Sequence, residues 1–246
     1  DAVASMKSGL KAFRRYVPAD LVRQMLEAGT EAEPGGKEIE ITLFFSDVEG
    51  FTSISEQIPA RDLMLSLSEY LDVMSREIGR QKGTVDKYIG DAVMALWGAP
   101  LPDEEHALGS CRAAVRCQRA LDAMNSKWKA EGKPPFRTRI GIHTGFTIVG
   151  NVGSRERLNY TALGDNVNLA SRLEGVNKLY GTKILISQST YRYVRNHFIF
   201  RPLDIIAVKG KLSSVMIYEL LGDADSENAD NLDYLAKGFA QVFDAY

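Results

Sequence analysis

Two acidic residues sit where the needs of a core give no reason for them. Asp47 closes the apolar run IEITLFFSD, and Asp91 stands at the turn of KYIGDAVMA. If their strands are neighbours, both carboxylates come to one sheet edge. Close carboxylates repel unless a cation lies between them. Hard oxygen ligands with no His or Cys partner suit magnesium or manganese. Beyond Asp47, the stretch Val48-Glu49-Gly50-Phe51-Thr52 leads into helix-forming sequence. Glycine lets the backbone pass close to a ligand, and amides at a helix start suit phosphate oxygens. The pattern predicts an acid pair that holds a metal. The backbone at Gly50, Phe51 and Thr52 would hold phosphates bridged by that metal, as in phosphoryl transfer.

Other chemistry-bearing residues form no motif of their own. His106, His143 and His197 are scattered and read as surface or core polar groups. Cys111 and Cys117 are six apart in a helical stretch, so they point to different faces and read as buried filler rather than a metal pair. Asn168 and Arg172 are four apart and share one helix face.

The elements that must position these residues follow from periodicity. IEITLFFSD reads as a strand, and residues 60–81 as a helix, with Leu63, Leu67, Tyr70, Leu71 and Met74 at helical spacing. GTVDKYIGDAVMALWG reads as a hairpin around IGD, and EEHALGSCRAAVRCQRALDAM as a long helix. FRTRIGIHTG is a strand, and TIVGNVGSRERLNYTALG an extended arm with a Gly-Ser tip. DNVNLASRLEGVNKLYG is a helix opening on Asp165/Asn166 and closing at Gly181. KILIS, a short helix near 188–196, FIFRPLDIIAVKG and VMIYELLG complete the body. Before it come a helical stretch over 1–28 and a polar linker over 30–38; after it comes an acidic, then amphipathic tail. This order predicts an α+β sandwich, with helices covering one face of a largely antiparallel sheet. Strictly alternating βα units, the mark of a doubly wound parallel sheet, are absent.

Bulk properties narrow the function classes. The chain has 246 residues, a formal charge of −2, and 45% hydrophobic residues. That suits one large globular domain without the basic field that nucleic-acid binding needs. No RNP-like aromatic strand is present either, which argues against an RNA-binding module. No apolar run reaches the ~18 residues of a membrane span, and no signal peptide is visible. The chain starts at Asp1, so it reads as a fragment or processed piece with room for an anchor or sensor upstream.

Four stretches, FFSDVEGFT, VDKYIGDAVMALWG, RIGIHTG and YTALGDNVNLASRLE, resemble the catalytic domain of class III nucleotide cyclases, in order, over roughly residues 39 to 221. The resemblance implies a ferredoxin-like α+β sandwich with a mostly antiparallel sheet. It divides the chain into a helical linker or transducer (1–36), a catalytic domain (37–222) and a helical tail (223–246). The implied reaction is adenylyl cyclase chemistry, ATP to 3′,5′-cyclic AMP and pyrophosphate, by attack of the ribose 3′-hydroxyl on the α-phosphate. Two Mg²⁺ or Mn²⁺ ions per site would be held by Asp47, Asp91 and the Val48 backbone. Lys87 and Thr161 fall on the base-reading positions. Lysine only donates, suiting adenine N1; threonine can accept, suiting the 6-amino group. Guanine reverses both polarities. Threonine stands where many adenylyl cyclases have aspartate, as in a subgroup that includes bicarbonate-responsive members. Asn168 would orient the ribose, Arg172 would stabilise the transition state, and Lys209, with Lys211 close by, would bind the triphosphate. The family's site lies between two domains, which implies a homodimer. KAFRRYVPADLVRQML matches the helix through which upstream sensors feed such domains. A cytoplasmic catalytic domain is expected. Guanylyl cyclase, or a nucleotide-binding regulatory domain without catalysis, are the alternatives.

Overall fold

Strand β1 (Gly35–Val48) carries the run that ends on Asp47. Phe44 enters one apolar layer, while Leu43 and Phe45 enter another on the opposite face. A strand buried on both faces reads as a continuous apolar run, as this one does. The computed structural model describes residue 9 and residues 33–154, 156–207, 214–225 and 229–244. After β1 come α1 (Phe51–Gln57), α2 (Ala60–Arg80), β2 (Thr84–Ile89), β3 (Ala92–Trp97), α3 (His106–Ala130), β4 (Thr138–Gly153) and β5 (Leu158–Leu163). Then follow α4 (Asp165–Tyr180), β6 (Ile184–Ser187), α5 (Gln188–Val194), β7 (Phe198–Ala207), β8 (Ser214–Asp223) and α6 (Ala229–Asp244).

The fold is α+β. Its sheet runs β2-β3-β1-β4-β6-β8-β7, with β5 paired to β4 off that path. Only the β4–β6 pair is parallel among the described strands. β1 pairs along its whole length with β4, from Gly35↔Asn151 to Val48↔Thr138. The other edge of β4 holds β6 at Ile140–Ile142 and β5 at Ile148–Gly153.

Three expectations are corrected. β1 starts at Gly35, so the end of the predicted 30–38 linker is strand. Pairing with β4 overrides the poor strand propensity of its glycines. The predicted strand and arm are one continuous strand, β4, with β5 folded back on its end. Helices also cover both faces rather than one. Tyr70, Met74 and Ile78 of α2 and several α3 residues pack with Phe44, Trp97, Ile140 and Ile142. On the other face Leu169 and Leu173 of α4 pack with Leu185 and Ile217, and Ala170 packs with Leu43 and Phe45. The predicted helix at 1–28 lies outside the described residues, apart from Gly9.

Gly141 lets α4 lie directly on β4. A Cβ there would stand 2.2 Å from the Glu174 amide nitrogen and 2.5 Å from the Ala170 carbonyl oxygen. Both are backbone atoms, so neither can swing aside. Gly141→Ala is expected to destabilise the fold by at least ~1–3 kcal/mol, the usual cost of overpacking. The urea midpoint reads this, and an unchanged midpoint would show that α4 has slack.

Buried polar groups tie the same helix down. His143 on β4 pairs with Ser187 Oγ (2.8 Å) and Asn166 Oδ1 (3.1 Å), and the Asn166 side-chain amide donates to the Phe146 carbonyl (2.7 Å). Asn166 therefore straps α4 to the sheet instead of capping it. Gly164 occupies the N-cap without a side-chain cap, whereas Gly181 ends the helix in the left-handed region, as expected. His106 is a buried partner of Thr42 (2.8 Å). Both cysteines are buried and free, and burial pushes the Cys111 thiol up to about 12.

Candidate functional site

Asp47 and Asp91 meet because of strand order. β1 pairs with β3 as far as Ser46↔Val93, and the β2–β3 turn follows directly. Gly90, at φ +65°, lets that turn close. The Val48 amide then donates to Asp91 Oδ2 at 3.0 Å. Asp47 is pushed up to about 7, first by burial, then by a hydrogen bond to Asp91 and by its charge, then by Glu174. Arg139 opposes this, with Nη2 3.5 Å from Asp47 Oδ2 and Nε 3.0 Å from Glu174 Oε1. Arg139 and Glu174 went unnoticed in the sequence. No local motif marks them, because their role depends on β4 and α4 meeting at this edge.

Asp47, whose ionisation is opposed by burial and by the neighbouring Asp91, fits a divalent cation placed between the two carboxylates, which would relieve that repulsion. Among the described residues no three His, Cys, Asp or Glu side chains cluster as a metal cage. Two carboxylates with remaining positions for water and phosphate oxygens is the mode that magnesium prefers.

The raised Asp47 pKa has a consequence for the ion-free chain. The folded state holds a proton that the unfolded state releases above about 3.8. That part of the stability is present in acid and is lost as pH rises from there through about 7. Urea midpoints between pH 5.5 and 8 are expected to fall more for the parent than for Asp47→Asn, which stays neutral. Magnesium should restore the parent chiefly at pH 8. Parallel pH profiles for the two proteins would contradict this.

Lys87 and Thr161 are also brought together. The Lys87 Nζ donates to Thr161 Oγ1 at 3.1 Å. Beneath them lies Asp86, which sequence reasoning missed. The Thr161 hydroxyl donates to Asp86 Oδ2, and Lys87 Nζ is 3.4 Å from Asp86 Oδ1. The Asp86 side chain is 2% exposed and that of Lys87 40%. Burial raises the Asp86 pKa, while Thr161, Lys87 and the Ala162 amide oppose the shift. In a regular strand Asp86 and Lys87 would face opposite ways. A register shift between Val85 and Lys87 breaks that alternation, so both reach Thr161. Nothing in VDKY announces a bulge.

Gly50 sits at the N-cap of α1 with φ 68° and no side-chain cap, so the first amides of the helix have no intrahelical acceptor. The Phe51 ring is a structural anchor, 5.7 Å edge-on to Phe136, which in turn meets Tyr70 and Trp128. Thr52 is exposed.

Asn168 is exposed and Arg172 half-buried on α4. Among the described residues neither side chain forms a hydrogen bond or ion pair, so one chain does not join them to either the acid pair or the Lys87–Thr161 pair. Lys209 and Lys211 lie outside the described residues. A groove of about 900 Å³ between α3 and α4 touches Glu49 and Arg139 but neither Asp47 nor Asp91.

The family description "Adenylate and Guanylate cyclase catalytic domain" matches residues 36–222. Adenylate cyclase 1 of Rhizobium meliloti is 42% identical over 221 residues, covering 90% of this chain and 33% of that protein. The adenylate cyclase of Anabaena cylindrica is 36% identical over 224 residues, covering 87% of this chain and 44% of that protein. This chain thus spans less than half the length of these two relatives. Among solved structures, the adenylyl cyclase CyaB from P. aeruginosa is 35% identical with a TM-score of 0.71, covering 80% of this chain and 99% of that one. The guanylyl cyclase Cya2 is 32% identical with a TM-score of 0.70, covering 79% of this chain and 98% of that one.

Proposed function

The chain belongs to the family of adenylate and guanylate cyclase catalytic domains, and on that premise we propose that it converts ATP to 3′,5′-cyclic AMP and pyrophosphate in a site shared by two copies. The observation that carries the choice of nucleotide is the Lys87–Thr161 contact at 3.1 Å. It pairs a fixed donor with a hydroxyl that can accept, the complement of adenine N1 and its 6-amino group. Guanylyl cyclase is the second reading, supported by the likeness to Cya2.

Asp47, Asp91 and the Val48 backbone would hold two Mg²⁺ or Mn²⁺ ions. When bound, these supply charge neutralisation on the triphosphate and acidify the ribose 3′-hydroxyl. The amides of Gly50, Phe51 and Thr52 would receive phosphate oxygens, a role suited to an uncapped helix start. Lys209 is assigned to the triphosphate by its place in VKGK alone. Asn168 of the second copy would hold the ribose. Arg172 of that copy would place a guanidinium against the phosphoryl group as charge builds there. Support for a shared site comes from Asn168 and Arg172, whose side chains form no hydrogen bond or ion pair among the described residues.

The assignment extends to the surroundings. Residues 37–222 form the catalytic unit, with 1–36 as transducer from an upstream sensor and 223–246 as a helical tail. No described helix is long and apolar enough to cross a membrane; a cytoplasmic catalytic domain is the placement that ATP as substrate favours. Bicarbonate stimulation enters the proposal chiefly through Thr161; a dose series at fixed pH tests it, and a flat response removes it.

Product identification with ATP and GTP, each with Mg²⁺ or Mn²⁺, decides the reading. Cyclic AMP from ATP, at a kcat/KM well above that for GTP, is expected. Preferential cyclic GMP formation overturns the choice of nucleotide. Tight ATP binding without turnover would make the chain a regulatory domain.

A further inference from the structure

A threonine hydroxyl by itself is a poor judge of purines. It has one hydrogen and two lone pairs, so it can meet a 6-amino group or a 6-oxo group equally well. In this chain that freedom is removed. Thr161 is 5% exposed, and its hydroxyl hydrogen is directed at Asp86 Oδ2. A carboxylate only accepts, so the hydrogen is committed there. One lone pair receives Lys87 Nζ. What remains for a ligand is a lone pair, an acceptor and nothing else.

We propose that Asp86 is a positioning residue that makes Thr161 an obligate acceptor, and thereby confers preference for a 6-amino over a 6-oxo purine. The inference rests on the reading of Lys87 and Thr161 as the base-recognition pair. Asp86 does not touch the purine. Its side chain lies beneath the pair, held by the Ala162 amide and by Lys87 Nζ at 3.4 Å. The bulge between Val85 and Lys87 brings it there. The same carboxylate stands 3.4 Å from the Lys87 ammonium, a group that can donate but not accept. Guanine would then present an acceptor to the Thr161 lone pair and a donor to the Lys87 ammonium, a mismatch at both contacts.

The first test compares the ATP:GTP ratio of kcat/KM in the parent and in Asp86→Asn. The asparagine amide can donate to Thr161 and release its hydroxyl to donate in turn. The ratio is expected to fall about tenfold or more, the effect of one wrong hydrogen-bond polarity in a buried site. Combining Asp86→Asn with Thr161→Asp should restore it, because a carboxylate accepts whatever lies beneath. A purely structural Asp86 would lower both rates alike and leave the ratio unmoved, and that result overturns the proposal.

A second test needs no variant. N6-methyl-ATP and the triphosphate of 6-methoxypurine riboside are alike in bulk, but the first donates at the 6-position and the second only accepts. The parent should bind the first about tenfold more tightly or better. Equal binding overturns the proposal. Because this arm reads equilibrium binding, it also separates the two claims. Discrimination without turnover would sink the cyclase activity and leave the Asp86 role standing. Binding of neither analogue would overturn both.

Discussion

Asp47→Ala and Arg172→Ala are each expected to be inactive alone and to regain activity when mixed. On the proposed reading, removing Asp47 would strip the metal edge of one of its two carboxylates. On the same reading, removing Arg172 would strip the guanidinium assigned to the transition state. Each loss should be on the order of 10²–10³-fold or greater in kcat, the scale for deleting one such electrostatic contributor. The proposed site shared between two copies is the reason recovery is expected. Asp47 lies beside Asp91 at the end of β1, as the Val48–Asp91 bond at 3.0 Å records. Arg172 projects from α4 with no ion pair among the described residues. If the two serve different sites, a mixed dimer has one doubly damaged site and one intact site. Random pairing of equal amounts makes half the dimers mixed, so about a quarter of the parent activity should return. No recovery, with mixed dimers shown by differential tagging, would place both residues in one chain's own site.

Lys87→Glu should cost at least ~10²-fold in kcat/KM for ATP, because an acceptor would then face adenine N1. The new carboxylate would also sit beside Asp86, whose side chain is 2% exposed and loses the ammonium 3.4 Å away. Like charges this close repel strongly where water is scarce. Activity with GTP should fall far less, since a glutamate can accept from guanine N1. Retained ATP activity in a folded Lys87→Glu protein would remove this lysine from base recognition. Near-ultraviolet circular dichroism separates that outcome from simple unfolding.

The fold was largely legible because its signals are local. The hairpin around Gly90, the helix from Asp165 and its stop at Gly181 follow from turn chemistry and periodicity. The misread parts were those where a distant partner decides. Gly35 and Gly36 become strand only because β4 supplies the hydrogen bonds. Asn166 looks like a helix cap but reaches Phe146 and His143 instead. Covering the second face with α4 depends on Gly141, a residue whose role is visible only once the helix backbone lies against it.

The same division runs through the candidate site. From the sequence, Asp47 and Asp91 stand out by their own chemistry, as acids at the end of an apolar strand and at a hairpin turn, whereas Lys87, Thr161, Asn168 and Arg172 enter as candidates through the resemblance to class III cyclases, and the roles of all six are proposals. Tertiary structure alone decided the company they keep: Arg139 and Glu174 beside Asp47, and Asp86 beneath Thr161. A side chain's chemistry is written in its identity, but its pKa and hydrogen-bond polarity come from neighbours delivered by strand order, one bulge and one glycine contact. Those are long-range packing outcomes, and no short stretch of residues encodes them.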